Sequence, residues 1–325
     1  MKQVIVTIFK VGFAFGLIAW MIQRGLFDLS TLAEWLSPLS VAVCLGLAIL
    51  GIFINNLRWQ FLLVGQGFSV DFRQTLPLTL IGIFFNFAMP GGVGGDVMKV
   101  YYIIRDFPEA RMKAAATVVM DRVVGLFVMV GMAFVAMILQ WQWFMANPKL
   151  ARLFTVICVV FIAFALAFVV LFSRRVHDLP WVQRAFAVLP GGAFAERLYR
   201  VFHSYRSPQV LFKAVVASFA SQIATIFLFI AVGYFMGMGD VPWLAHFFVV
   251  PLGLITMSLP LAPAGIGVGQ MALYYLFNWY LGYNSQLGPN SITALQVGQF
   301  AWGLLGAYFY LRRGRAVPQN GEALL

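Results

Sequence analysis

Charge is scarce in this chain of 325 residues: 10% of the residues are charged and 62% are hydrophobic, with a mean hydropathy of +0.88. A water-soluble globule needs far more polar surface, so the composition indicates an integral membrane protein. Apolar runs of about 20 residues recur along nearly the whole sequence, and this is the length that an α-helix needs to cross a bilayer. We predict a single all-α, polytopic membrane domain over residues 1–325.

Cysteine and histidine are equally rare. The two cysteines, Cys44 and Cys158, lie inside apolar runs without a partner spacing, and the three histidines are scattered. A disulfide framework or a metal site of clustered ligands is therefore not expected. We predict no metal and no cofactor.

Acidic residues are half as common as basic ones, which leaves a formal charge of +11. In a soluble protein this excess would suggest nucleic acid as a partner. In this chain the hydropathy pattern predicts membrane spans, and the positions of the basic residues relative to these spans explain the excess in another way. These spans cover residues 3–23, 40–62, 112–140, 150–172, 209–236 and 291–311.

The placement of the basic residues gives the orientation. With the N-terminus in the cytoplasm, the predicted cytoplasmic segments hold 16 of the 22 basic residues. This asymmetry is typical of cytoplasmic loops, and it also favours contact with anionic lipids of the inner leaflet. We therefore predict a multi-pass protein of a prokaryotic plasma membrane, with both termini in the cytoplasm, a short basic tail at 314–325, and no nucleic-acid partner.

Two glycine-rich inserts interrupt the pattern of spans. The first contains FNFAMPGGVGGDVMKVYY at residues 85–102. Because about 33 residues are too many for one span and too few for two, we predict a re-entrant hairpin. Its arms are Gln74–Met89 and Val97–Arg105, and its tip is Pro90–Asp96. The second insert, Pro242–Leu281, is either a similar hairpin or two short full spans.

The two inserts resemble each other. PGGVGGDVMKVYY at 90–102 and PAGIGVGQMALYY at 263–275 are identical in six of thirteen columns. Each follows two predicted spans and precedes one, and an odd number of spans per unit turns the second unit upside down. We predict two inverted-topology repeats, residues 1–140 and 150–313, with a substrate site at the midplane between the broken helices.

The insert residues have a physical reason to bind an anion. Pro90 ends a helix, and the glycines after it allow a tight turn. At the start of the next helix, free N–H groups and the helix dipole attract negative charge, such as a phosphate. Close helix packing is the alternative role for the glycines.

Four ionisable residues lie at membrane depth, where charge is costly and is often functional. Asp96 and Lys99 are three residues apart and could pair. Asp121 could pair with Lys99 or Arg58, and Arg122 with Asp96 or a lipid phosphate; a buried structural network is the alternative. Snorkelling to the interface is the default interpretation of Arg58. Together with the inserts, these residues form the candidate headgroup site: Asn86, Pro90, Gly91, Gly92, Gly94, Gly95, Asp96, Lys99, Asp121, Arg122, Arg58, Pro263, Gly265, Gly267 and Gln270.

Several of these motifs carry a family resemblance. With FNFAMPGGVGGDVMKVYY, VVMDRVVGL (118–126), NNLRWQFLL (55–63) and LPLAPAGIGVGQ (259–270), the chain resembles the lysylphosphatidylglycerol synthase transmembrane-region family. The resemblance implies handling of phospholipids or lipid-linked molecules, sometimes beside a separate lipid-modifying enzyme. Gln270 stands where relatives typically carry a glutamate. Only residues 312–325 follow the last span, so we do not expect an aminoacyl transferase domain or lipid synthesis.

Three functions are compatible with these observations. A translocase that moves a phospholipid or a lipid-linked anionic headgroup between leaflets is the leading hypothesis, and it makes the protein a transporter and not an enzyme. An integral membrane enzyme acting on lipid phosphate or a polyprenyl-linked substrate is an alternative, although no histidine or cysteine lies near the aspartates. A small-solute secondary transporter is the other. The sequence carries no signal for the oligomeric state.

Overall fold

The structure is a computed structural model. It describes residues 36–89, 93–146, 148–172, 208–259 and 261–314, together with residues 16, 18–23, 30, 179 and 180. The described part of the chain is helical and contains no β-strand. Of the predicted first span, only residues 16 and 18–23 are described, all as helix, and Pro90, Gly91 and Gly92 lie outside the described residues.

Six helices occupy the first half of the described chain. They are α1 (Pro38–Gly65), α2 (Phe72–Ala88), α3 (Gly94–Asp106), α4 (Arg111–Leu139), α5 (Trp141–Met145) and α6 (Pro148–Phe172). The start of α1 follows from local chemistry, because the Ser37 and Ser40 side chains each bond the other residue's backbone N–H in a capping box. Asp71 and Gln74 form the same arrangement at the start of α2.

Four helices follow in the second half. They are α7 (Pro208–Phe235), α8 (Trp243–Met257), α9 (Val268–Leu281) and α10 (Leu287–Gly314). A short 3-10 turn at Pro263–Gly265 lies between α8 and α9. The second insert is thus two helices of 15 and 14 residues. At about 1.5 Å per residue each is near 20 Å long, which is less than a hydrocarbon core of about 30 Å.

Three of the described helical segments are long and apolar enough to cross a membrane: Pro38–Gly65, Pro108–Leu139 and Gln209–Phe235. They coincide with the second, third and fifth predicted spans. The sixth corresponds to α10, which is long but more polar, with buried Asn290, Ser291 and Gln296. These side chains face the protein interior, and their burial explains why a spanning helix can carry them. The part of this membrane protein that the structure describes is all-helical, with several apolar helices.

The first insert differs in detail from its prediction. The helix after the glycines starts at Gly94, so Asp96 lies in the first turn of α3 and not in the tip. A carboxylate in the first turn interacts favourably with the helix dipole, which favours the earlier start. Gly95 and Gly82 face each other across α2 and α3, and a Cβ on Gly95 would overlap the Gly82 carbonyl. The glycines therefore allow close helix packing here.

The helix contacts occur in matching sets. α2 packs along α10 and α8 packs along α4, while α1 packs along α7. α1 also contacts α10 just as α7 contacts α4, and the two helices of each insert contact each other. α1 and α7 therefore pack on each other, and each insert packs on a helix from the opposite half of the chain.

The largest buried apolar cluster joins both halves. Its fully buried aromatic members are Phe144, Phe229 and Phe277, and Ala48 of α1 and Ala133 of α4 belong to it as well. A second cluster around Trp59 packs α1 against α2, α3 and the start of α4. The described parts of both inserts are thus held to the rest of the bundle by apolar packing.

Gly306→Ala should disrupt the crossing of α10 with α2. The added Cβ would overlap the Leu80 carbonyl, which is backbone and cannot turn away. We expect a loss of about 1–3 kcal/mol, as for other overpacked sites, measured as a lower melting temperature in detergent. Gly46→Ala is the control, because nothing lies within 4 Å of its Cβ position. Equal melting temperatures of the two variants would contradict this packing.

Candidate functional site

A cavity of about 340 Å³ lies in the middle of the bundle, where the two inserts come together. The first turns of α3, including Gly95, Asp96 and Lys99, line it from one side. The end of α8 and Ala264 of the following turn line it from another. α1, α2, α4, α7 and α10 supply the remaining walls. The volume is within the usual range for small-ligand sites, roughly 300–1,000 Å³.

Asp121 of α4 is the centre of the charged network. Its Oδ1 accepts a hydrogen bond of 2.6 Å from Arg58 Nε of α1, and its Oδ2 lies 3.8 Å from Lys99 Nζ of α3. Arg58 Nη1 also donates to Ser218 Oγ of α7 at 3.1 Å. Gly125 leaves room for the guanidinium, since a Cβ there would lie 3.1 Å from Nη1. One carboxylate therefore connects three elements of the first half, and through Arg58 the network reaches the second half.

Arg58 does not snorkel to an interface. Its side chain is 11% exposed, and the Asp121 side chain is 9% exposed. The default interpretation of Arg58 is wrong because the aspartate on α4 and the serine on α7 satisfy its donors inside the bundle. Asp121 is one of the partners that the sequence suggests for Arg58, whereas nothing in the sequence points to Ser218.

Asp96 and Arg122 form the second ion pair, which confirms one of the alternatives for Arg122. Asp96 therefore does not pair with Lys99, although the two residues are three apart on one helix. Next to the pair, Asn86 Oδ1 of α2 accepts the Gly95 N–H at 2.9 Å. Asn86 thus caps α3 from the neighbouring helix. It accepts one of the N–H groups at the start of α3 that the sequence predicted to be free for an anion.

Lys99 is the least satisfied of the cations. Its ammonium lies 4.7 Å from the centre of the Trp59 ring, and its nearest carboxylate oxygen is the one on Asp121 at 3.8 Å. The side chain is 12% exposed. A cation over an aromatic face is stabilised, and the ammonium forms no hydrogen bond with the part of the chain that the structure describes, so its donors can serve an oxygen-rich ligand.

The charges in the cavity do not balance. Among the described residues that line it, three cations, Arg58, Lys99 and Arg122, face two carboxylates, Asp96 and Asp121. One net positive charge remains in a largely apolar bundle, where electrostatic interactions are stronger than in water. The site is therefore suited to a singly charged anion, and phosphate oxygens match the planar donors of arginine.

The second glycine-rich turn is tied together by a separate network. Gln270 is buried; its Oε1 accepts the Gly267 N–H at 2.8 Å, and its Nε2 donates to Thr293 and Gln296. Gln296 in turn donates to the Ala264 carbonyl at 3.1 Å. An amide suits this position because it accepts and donates at once, whereas a carboxylate could only accept. The network fixes the turn that places Ala264 at the cavity.

The structure brings together most of the first-half candidates. Asn86, Gly95, Asp96, Lys99, Asp121, Arg122 and Arg58 all line the cavity. Gly94 packs against Phe85 and Met89 instead. In the second turn, Pro263 and Gly265 are buried and, with Gly267 and Gln270, shape the turn without lining the cavity.

Sequence reasoning missed the contribution of α7. Ser221, Gln222 and Thr225 line the cavity, and Ser218 bonds Arg58. Their spacing of three and four residues puts them on one face of an apolar helix, and a polar stripe of this kind is a readable signal.

Comparison with known proteins identifies a protein family that matches this chain. The sequence model described as lysylphosphatidylglycerol synthase TM region matches residues 7–306. A UPF0104 membrane protein of Methanothermobacter thermautotrophicus is 26% identical over 254 residues, which are 73% of this chain and 74% of that protein. A UPF0104 membrane protein of Methanocaldococcus jannaschii is 29% identical over 120 residues, 32% of this chain and 36% of that protein. No solved structure matches the chain.

Asp121→Asn should destabilise the protein strongly. It keeps the shape of the side chain but leaves two buried cations without their carboxylate, a loss of about 3–5 kcal/mol for comparable pairs. Thermal unfolding in detergent measures the effect. The control is Asp106→Asn: Asp106 pairs with Arg313 at 3.2 Å in an exposed position, where a pair contributes about 0–1 kcal/mol.

A double-mutant cycle measures the interaction between Arg58 and Asp121 separately from the contribution of each residue alone. Replacing Arg58 and Asp121 together by Met and Leu should cost less than the sum of the two single replacements, because no uncompensated charge of the pair remains. Losses of stability that simply add, or an Asp121→Asn variant as stable as Asp106→Asn, would contradict this account. Either result would show that the ion pairs of Asp121 do not stabilise the contacts between the central helices.

Proposed function

Since this chain belongs to the lysylphosphatidylglycerol synthase transmembrane-region family, we propose that it is a lipid translocase that moves an anionic headgroup between leaflets. The observation that carries this proposal is the central cavity, where three cations face two carboxylates between the broken ends of the two inserts. A lipid phosphate would balance the remaining charge, and the acyl tails would stay in the bilayer.

The helix contacts support two inverted-topology repeats. If α1, α2, α3 and α4 correspond to α7, α8, α9 and α10, a two-fold relation requires that contacts occur in equivalent pairs. The contacts of α2 with α10 and of α8 with α4 form such a pair, and so do those of α1 with α10 and of α7 with α4. The α1–α7 contact is its own equivalent. Repeats of this kind place a substrate site at the bilayer midplane in many transporters.

The proposed hairpins enter the membrane from opposite faces. The last turn of α10 carries Arg312 and Arg313, and Arg313 contacts Asp106 at the end of α3. The open end of the first hairpin therefore lies on the same side as these arginines, which the positive-inside rule assigns to the cytoplasm. In the inverted arrangement the second hairpin opens to the outside. The two breaks would then meet halfway.

The arrangement favours transport over catalysis. Asp96 and Asp121 are each engaged by arginine, so neither is held as an unpaired base near a nucleophile. Lys99, in contrast, is poised to exchange Asp121 for a phosphate oxygen without breaking the Arg58 pair. A ligand that replaces only the contact of Lys99 with Asp121 can be bound and released while the Arg58–Asp121 pair stays intact, as translocation requires.

A vesicle assay tests the proposed function. Full-length protein is reconstituted with fluorescent phosphatidylglycerol, and movement is followed by quenching of the outer-leaflet label. We expect Lys99→Gln to slow movement at least tenfold, because it removes the ammonium and the net positive charge of the cavity. A charge-assisted hydrogen bond is worth about 1.5–3 kcal/mol, and roughly 1.4 kcal/mol corresponds to tenfold.

Lys213→Gln is the matched control. Lys213 lies on α7 with an exposed side chain, outside the cavity lining, and its replacement should leave the rate unchanged. Wild-type protein that moves lipid no faster than empty vesicles, with or without a proton gradient, would contradict the proposal. Chemically altered lipid in the same vesicles would favour the membrane enzyme instead.

A further inference from the structure

The second helix of each insert meets the opposite half of the chain at one end. Asp106, the last residue of α3, pairs with Arg313 near the end of α10, with 3.2 Å between Asp106 Oδ2 and Arg313 Nη2. Tyr280, near the end of α9, donates a hydrogen bond to Gln140, which directly follows α4. We call these two pairs the inner contact and the outer contact, because the proposed topology places them at the cytoplasmic and the outer face.

The two contacts are equivalent under the proposed two-fold relation. This relation exchanges α3 with α9 and α10 with α4, so a contact of α3 with α10 requires a counterpart between α9 and α4. When the inserts are aligned by their matching residues, Tyr280 falls on Phe107, next to Asp106. Different side chains thus form a polar contact at the same place in both halves.

An aromatic ring accompanies each contact. The Arg313 guanidinium lies 5.2 Å from the ring centre of Tyr102, which is buried. The ring centre of Tyr280 lies 4.8 Å from that of Trp143, on the short helix α5. Both arrangements are favourable for side chains that meet a ring. Each contact therefore combines one polar bond with one aromatic neighbour.

Both contacts can break without unpacking the bundle. Among the described helices, α3 does not pack along α10, and α9 does not pack along α4. The first helices of the inserts provide the extended packing instead, since α2 packs along α10 and α8 along α4. The Asp106 and Arg313 side chains are about one-third exposed, and ion pairs in such positions are weak.

The cavity lies between the two contacts. Asp96 lines the cavity in the first turn of α3, and Asp106 lies about 15 Å further along the same helix. Ala264 lines the cavity just before α9, and Tyr280 lies about 18 Å along that helix from its first residue. α3 and α9 therefore each run from the cavity to one of the contacts.

We propose, resting on the function proposed above, that the inner and the outer contact are two gates that open alternately. Movement of α3 away from α10 opens the cavity to the cytoplasm while Tyr280 and Gln140 stay bonded. Movement of α9 away from α4 opens it to the outside while Asp106 and Arg313 stay paired. Inverted repeats are suited to such rocking around a fixed site at the midplane.

Side-specific labelling of a cysteine in the cavity tests the gates without relying on lipid movement. Thr225 lines the cavity with a partly exposed side chain, and Thr225→Cys is the reporter. It is placed in full-length protein in which Cys44 and Cys158 are replaced by alanine. A membrane-impermeant thiol reagent is applied to spheroplasts for the outer face and to inverted membrane vesicles for the cytoplasmic face.

Weakening one contact should shift the labelling in one direction. Arg313→Gln should raise the rate from the cytoplasmic face about threefold and lower the rate from the outer face, because it removes the ion pair of the inner contact. Tyr280→Phe removes one hydroxyl group from the outer contact and should produce the opposite shift of similar size.

Matched controls come from neighbouring residues. Arg312 bonds Tyr308 of its own helix, and Tyr283 is exposed just after α9. Arg312→Gln and Tyr283→Phe should therefore leave both labelling rates unchanged. Faster labelling from both faces in Arg313→Gln or Tyr280→Phe would show a general loosening of the bundle and would overturn the proposal.

An exchange of charges tests the inner gate by rescue. Asp106→Arg combined with Arg313→Asp should restore the ratio of the two labelling rates, although either replacement alone brings two like charges together. Misfolding cannot be rescued in this way. A doubly exchanged protein that labels like Arg313→Gln would contradict a gate formed by this pair.

The outcomes for the gates and for the translocase are distinct. Opposite shifts in labelling without lipid movement in vesicles would support the gates and contradict the lipid translocase. Lipid movement by the wild-type protein, with labelling rates that neither Arg313→Gln nor Tyr280→Phe changes, would overturn the gates and leave the translocase standing.

Discussion

The centre of this bundle depends on one carboxylate shared by two cations. Asp121 contacts Arg58 and Lys99 inside an apolar protein, where a single unpaired charge would be costly. The three residues come from α4, α1 and α3, so satisfying them fixes how these helices meet. Ser218 extends the constraint to α7.

The close approach of α2 and α3 brings part of the charged network to the cavity. Non-helical backbone within a bilayer is tolerated where it is buried in protein or lines a cavity. Glycine at 82 and 95 lets α3 lie against α2, which brings Asp96 and Lys99 to the middle of the bundle. At the second glycine-rich turn, Gln270 and Gln296 hold the backbone through hydrogen bonds between uncharged groups.

Hydropathy and glycine spacing predicted much of the architecture. The described spans match their predicted ranges to within a few residues because apolar length is a local property of the chain. The sequence left alternative partners open for Asp121 and Arg122, because adjacent residues on a helix point to different neighbours. The interfacial position expected for Arg58 was wrong, although Asp121 was among its suggested partners, because the burial of its side chain is known only once the helices are packed. The polar stripe of α7 was overlooked, although the spacing of Ser221, Gln222 and Thr225 puts these side chains on one face of an apolar helix.

A density map of the full-length protein in nanodiscs of anionic lipid tests the central claim most directly. The account predicts a lipid phosphate between the two inserts, within hydrogen-bonding distance of Lys99 Nζ, with the acyl chains leaving the bundle sideways. A cavity that holds only acyl chain, or that is closed by Lys99 and Asp121 while lipid phosphates occupy the surface alone, would contradict it.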